Sequence, residues 1–196
     1  MFPTSIYAEL TPNPNTMKFM ADRVIFNSND AVEYKTPAEA KGSSELAVKL
    51  FDFPFVKSVF IASNFVTVTK TADLNWDLIT FELREFVREF MLKHETAVEK
   101  IPEIEIVAEE VKAREPVEPS EYDDTIRHLL NEYVKPAVES DGGAIDFVSF
   151  KEGVVKVQLR GSCSGCPSST LTLKDGIENL LKTELPEVKS VEAESI

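Results

Sequence analysis

The sequence predicts an α+β protein of two small domains: an N-terminal antiparallel sheet covered by helices, and a C-terminal α-β-β-α-β unit. Three observations carry that prediction. An acidic stretch with two prolines interrupts the hydrophobic patterning after about half the chain. Short β-branched and aromatic runs precede it and end in one long amphipathic helix. A helix, a hairpin, a second helix and a last strand follow it.

The interruption is Glu109-Glu110-Val111-Lys112-Ala113-Arg114-Glu115-Pro116-Val117-Glu118-Pro119-Ser120-Glu121. It has two prolines, five glutamates and almost nothing to bury, which reads as an exposed, fairly stiff connector. The expected domains are therefore 1–110 and 121–196, joined by 111–120.

In the first domain, Ile6 to Leu10 and Met17 to Met20 read as short strands around Thr11-Pro12-Asn13-Pro14-Asn15. The two prolines restrict φ and remove backbone donors, so that segment is a loop held in one course. Val24-Ile25-Phe26 is expected to add a third strand. Ser44 should cap a short helix through Lys49, with Leu46 and Leu50 on one face. Val56 to Ala62 and Phe65 to Thr69 form a hairpin turned by Ser63-Asn64. From Leu74 to Lys93 the period changes: Leu78, Phe81, Leu83, Phe86, Val87, Phe90 and Met91 recur as on an amphipathic helix, and Trp76 anchors its first turn. Packing against the sheet accounts for this aromatic stripe more simply than ligand binding does. Ile104-Glu105-Ile106-Val107 alternates as a last strand.

The second domain opens with a helix from Tyr122 to Glu139, whose apolar face is Ile126, Leu129, Leu130, Tyr133, Val134 and Val138. Pro136 should kink or break it. Asp141-Gly142-Gly143 stops it, because glycine permits the left-handed backbone of a helix exit. Ala144 to Phe150 and Val154 to Leu159 pair around Lys151-Glu152-Gly153. Ser168 to Leu181 supplies the second helix, and a terminal strand lies near Val188 to Val191.

Composition excludes several functions. There are 34 acidic and 21 basic residues, a net charge of −13, so neither nucleic acid nor anionic lipid is an expected partner. No segment approaches the roughly 20 apolar residues of a membrane span. Met1-Phe2-Pro3-Thr4 shows no secretory signal, and its poverty in arginine shows no mitochondrial presequence. A cytoplasmic location is the expectation. No general base, catalytic triad or phosphate-cradling loop stands out, so no enzyme is expected; Asp141 reads as a turn residue.

The chemistry gathers in Gly161-Ser162-Cys163-Ser164-Gly165-Cys166-Pro167-Ser168-Ser169-Thr170, between a strand and a helix. Gly161 and Gly165 permit a tight turn that converges the two sulfurs. Pro167 suits the first helical position, and the free N–H groups of that helix start favour thiolate over thiol. Three readings follow: buried structural cysteines, a thiol–disulfide pair, or half of a metal site. A glycine-serine loop is a poor place to bury a cysteine, and the α-β-β-α-β order is not that of a thioredoxin fold. Zinc and iron–sulfur clusters both want four ligands, and the chain has two cysteines. His94 and His128 read as ordinary helix histidines, so two chains about a twofold would supply the missing thiolates.

These residues resemble a known family. Asp141-Gly142-Gly143, the strand Val154 to Leu159, the cysteine segment and Leu171-Thr172-Leu173-Lys174-Asp175-Gly176-Ile177-Glu178 are similar to the C-terminal domain of NifU. Thr11-Pro12-Asn13-Pro14-Asn15 with Lys18-Phe19, Val59-Phe60, Val66 to Lys70 and Trp76 resemble the N-terminal domain of Nfu proteins. The resemblance implies an iron–sulfur cluster scaffold or carrier, with Cys163 and Cys166 as ligands of a [4Fe-4S] cluster shared in a homodimer. It further implies an upstream assembly protein as donor, apo iron–sulfur proteins as recipients, and a recognition or modulating role for the N-terminal module. A zinc-bridged structural or interaction protein and a thiol–disulfide oxidoreductase are the alternatives.

Overall fold

The β-branched and aromatic runs of the N-terminal half pair as strands. In the computed structural model, which describes residues 2–28, 30–71, 73–101, 120–164 and 167–195, β1 (Ile6–Leu10), β2 (Thr16–Ala21), β3 (Ala31–Tyr34), β4 (Val56–Ala62) and β5 (Phe65–Lys70) form one sheet in the order β1-β2-β5-β4-β3. Every pair is antiparallel. Register places Phe19 opposite Val66 and Val66 opposite Ile61, with Val68 opposite Val59, so one face is a continuous apolar surface.

Among the described residues three helices lie against it: α1 (Pro37–Ala40), α2 (Glu45–Leu50) and α3 (Trp76–Lys93). Ser44 caps α2 as expected, its Oγ accepting from the Ala47 N–H, and Leu46 and Leu50 are buried. Trp76 anchors the start of α3 by donating its indole N–H to the Pro14 carbonyl at 3.0 Å, which gives the double-proline loop its fixed course. Leu83, Val87 and Met91 complete the core with Phe19, Ile61 and Val66.

Val24-Ile25-Phe26 is not a strand. Ile25 and Phe26 are buried, but their N–H groups both donate to the Ser63 carbonyl, and the Ile25 carbonyl accepts from Ala97; these bonds run to loops rather than a neighbouring strand. The third strand is Ala31–Tyr34 instead. Leu78 and Phe81 leave the expected apolar face of α3 and are 74% and 68% exposed. The expected strand Ile104 to Val107 and the connector 111–119 lie outside the described residues.

The C-terminal half follows the α-β-β-α-β order. A helical run comprises α4 (Asp123–Leu129), a π turn over Leu130–Val134 and α5 (Lys135–Ser140). Proline 136 explains the turn. It has no N–H and crowds the preceding carbonyls, and the run widens just before it, with the Lys135 N–H donating to Leu130 O. The helix neither breaks nor re-enters. Tyr133, assigned to the apolar face, is 58% exposed. β6 (Gly143–Lys151) and β7 (Val154–Gly161) pair antiparallel, and after α6 (Pro167–Glu184) the chain returns as β8 (Ser190–Ser195), parallel to β7. Ile126, Val138, Leu159, Leu181 and Val191 fill this second core.

The chain divides into two compact units, Met1–Pro102 and Glu103–Ile196. Among the described residues no helix is long and apolar enough to cross a membrane.

Candidate functional site

The cysteine loop begins where β7 ends, and the helix exit before β6 holds it in place. Gly142 has φ +82°, a left-handed conformation that lets α5 stop and β6 start within two residues. Its carbonyl accepts the Ser162 N–H at 3.3 Å. The Ser162 hydroxyl donates to the carbonyl of Asp141. Asp141-Gly142-Gly143 therefore does more than turn the chain: it clamps the cysteine loop through one backbone and one side-chain hydrogen bond. The Ser164 N–H closes the turn onto Gly161 O at 3.1 Å.

Gly143 pairs with Gly161 across β6 and β7. A Cβ at position 143 would lie 2.7 Å from the Arg160 carbonyl and 3.0 Å from the Cys163 sulfur. Only glycine lets that sulfur lie so close to the strand. Next to it, Arg160 reaches across to Asp146 at 2.5 Å.

Cys163 is 6% exposed and belongs to the core with Leu159, Val157 and Ile177. This reverses the expectation that a glycine-serine loop is a poor place to bury a cysteine. Burial pushes its thiol up from the usual range; a hydrogen bond with Ser162, whose Oγ is 3.8 Å away, works against that shift, and the charge of Asp141 adds to it. The direction for Cys163 is thus opposite to the thiolate preference expected from the sequence, and burial is its largest cause. Cys166 and Gly165 lie outside the described residues.

The histidines are where their sequence context puts them. His128 lies on an exposed helix face, 3.0 Å from Glu132. His94 caps α3 by donating its N–H to Phe90 O, and its ring stacks on Phe90 with centroids 4.0 Å apart. Sequence reasoning put Ser162 in the cysteine loop and read Asp141-Gly142-Gly143 as a helix stop, but missed the Ser162 bonds to Asp141 and Gly142 and the close approach of Gly143 to the Cys163 sulfur. The signal was present in Asp141-Gly142-Gly143, where two consecutive glycines exceed what a helix stop alone requires.

With that geometry in place, comparison with known proteins gives a clear result. A family model described as NifU-like domain matches residues 126–192, and one described as Scaffold protein Nfu/NifU N terminal matches residues 6–94. The chain is 36% identical over 192 residues to the NFU1 iron-sulfur cluster scaffold homolog, mitochondrial, of Homo sapiens, covering 95% of this chain and 70% of that protein. It is 35% identical over 191 residues to the protein of the same name in Drosophila grimshawi, covering 95% of this chain and 60% of that one; several curated relatives are thus longer than this chain by more than a third. A solution structure of a NifU-like protein from Saccharomyces cerevisiae aligns over 50% of this chain and 87% of its own, at 23% identity and a TM-score of 0.46. The relatives' names correct the cytoplasmic expectation, since they place those proteins in mitochondria. The expectation was drawn from the residue types of Met1 to Thr4, and the residues that build the two folded units carry no cellular address of their own.

Proposed function

We propose, for a chain that belongs to the Nfu/NifU iron–sulfur cluster scaffold family, that Cys163 and Cys166 hold a [4Fe-4S] cluster shared by two chains and hand it to apo-proteins. The family carries the coarser statement, a non-catalytic scaffold or carrier for iron–sulfur clusters that works between upstream donors and apo acceptors. The finer reading rests on one observation. The NifU-like half contains both cysteines of the chain, spaced Cys-x-x-Cys beside a helix start.

The donor set fits such a cargo. Thiolates are the usual ligands of iron–sulfur clusters, and four are wanted where one chain has two. A site divided between two chains opens when they part, so incoming cysteines replace the donors one at a time. The geometry adds a condition for loading. Cys163 must leave its place against Gly143 and lose a proton that burial holds on. The clamp from Asp141 and Gly142 to Ser162 is what has to yield. Until then the protonated, enclosed Cys163 thiol is a poor nucleophile, which protects that sulfur from oxidation.

Anaerobic reconstitution, then size exclusion with light scattering and iron and sulfide assays across the peak, tests this. The expected result is a largely monomeric apo-protein and a dimer with about one four-iron cluster per two chains. Cys166→Ser and Cys163→Ser should each abolish stable uptake; circular dichroism accompanies the latter because it puts a hydroxyl into a core. A fully loaded monomer, measured after small thiols are removed, would overturn bridging. Zinc without sulfide would favour the zinc-bridged alternative, and dithiol turnover without metal would favour an oxidoreductase.

A further inference from the structure

A second group of metal-ligating side chains lies in the N-terminal unit. Glu45 is the first residue of α2, His94 is the residue that ends α3, and Glu99 follows five residues later. One donor atom from each lies within 4.8 Å of the other two. The start of α2 and the stretch that follows α3 therefore bring one half-buried imidazole and two exposed carboxylates together.

The backbone beneath these donors is tightly fixed. The Glu99 and Lys100 N–H groups both donate to Ser43 O, at 2.8 and 3.3 Å. The buried Ser44 hydroxyl donates to Ala97 O at 2.6 Å. The Glu45 N–H donates to a Glu99 carboxylate oxygen at 3.2 Å. At the third corner, Arg23 holds the His94 carbonyl at 2.9 Å while the ring rests on Phe90. The backbone that carries the donors is therefore ordered before a ligand arrives, and only side chains have to adjust.

One member of the group already pairs with a cation. The Lys49 ammonium lies 2.7 Å from Glu45 and 5.5 Å from the centre of the Phe90 ring. Lys49 rises from the fourth residue after Glu45 on a flexible stem, so a better cation can displace it toward the Phe90 face.

From this arrangement we propose that Glu45, His94 and Glu99 form a cation site distinct from the cysteine loop. It would take a divalent first-row ion of the manganese, ferrous iron or zinc class, with water completing its shell. One nitrogen and two oxygens suit those ions, whereas copper(I) and cluster iron seek thiolate. Donors on a common ion with bonds of about 2.0–2.2 Å sit roughly 3 Å apart, so side-chain adjustment over the existing backbone closes the site. The sequence alone shows His94 only as a helix-end histidine, because its partners are 49 and 5 residues away.

The test uses manganese(II) on the full chain with both cysteines in place, since thiolates compete poorly for that ion. Electron paramagnetic resonance counts free manganese, and nuclear magnetic resonance line broadening locates the bound ion. About one ion per chain is expected, with broadening centred on Glu45, His94 and Glu99. His94→Phe, which keeps a ring on Phe90, and Glu99→Gln should each weaken binding at least about tenfold, the scale on which even outer partners of metal ligands act. Lys49→Met should tighten it by removing the competing ammonium. Affinity unchanged in His94→Phe and Glu99→Gln, or broadening spread evenly over the acidic surface, would overturn the proposal. Either result leaves the cysteine reading untouched, because no thiol takes part.

Discussion

Spacing identified Cys163 and Cys166, and resemblance supplied their chemistry, but the state of the Cys163 thiol depends on a contact that spacing cannot show. Gly143 lies 20 residues earlier, and strand register alone brings it to the sulfur. Burial raises the thiol, so the folded protein keeps the proton longer than the unfolded chain does. Below the unfolded value of about 8.5 both states are protonated and the stabilisation is complete. As pH rises between that value and the higher folded one, only the unfolded chain has released its proton, and stability falls. The expected observation is a Cys163 Cβ resonance that titrates above about 8.5, together with slow alkylation of Cys163 in the native protein and fast alkylation in urea. A midpoint at or below the value of an unstructured cysteine would show that the Ser162 bond, not burial, sets the thiol.

At the scale of elements, the sequence was most legible where one rule acted alone. The Ser63-Asn64 hairpin and the Ser44 cap follow from local chemistry, and both are present. Competing demands obscured the rest. A step of about 100° per residue puts Leu78 and Phe81 on the far side of α3 from Leu83 and Val87, although linear spacing seemed to join them. Val24-Ile25-Phe26 has strand-like residues, yet burial was won by loop packing, with Ile25 accepting from Ala97. Proline 136 was visible, but its consequence, a π turn, depends on packing of the whole run. Ser44 makes the strongest test at this scale. Its hydroxyl accepts from Ala47 N–H and donates to Ala97 O while fully buried, so Ser44→Ala removes a cap and leaves two backbone groups without that partner. A loss of about 1–3 kcal/mol is expected. Urea unfolding followed by fluorescence of Trp76, the one tryptophan in the chain, measures it within the N-terminal unit. A change within about 0.5 kcal/mol would show that water replaces both bonds.

For the whole molecule, the question is whether two cores mean two independent folding units. The division falls at Pro102 and Glu103, and each core cluster draws its residues from one side of that division. By composition, the acidic connector with its two prolines has almost nothing to bury. We therefore propose that residues 1–110 fold without iron and that 120–196 take up cluster without the first half. The two pieces should differ in stability. Among the described residues the first closes a five-stranded sheet under three helices, whereas the second is near the size, about 70–80 residues, at which one core supplies only a few kcal/mol. A ligand that binds only the folded state adds to stability by mass action, so cluster loading should raise the melting temperature of the 120–196 fragment and leave that of 1–110 unchanged. Expressing the two fragments separately, with amide spectra compared against the full chain and iron and sulfide assayed on the second, decides the matter. Matching spectra with full uptake by 120–196 support modularity. A folded 120–196 fragment that takes up no iron would mean that the N-terminal half contributes to the site, and the division of labour between the halves would be wrong.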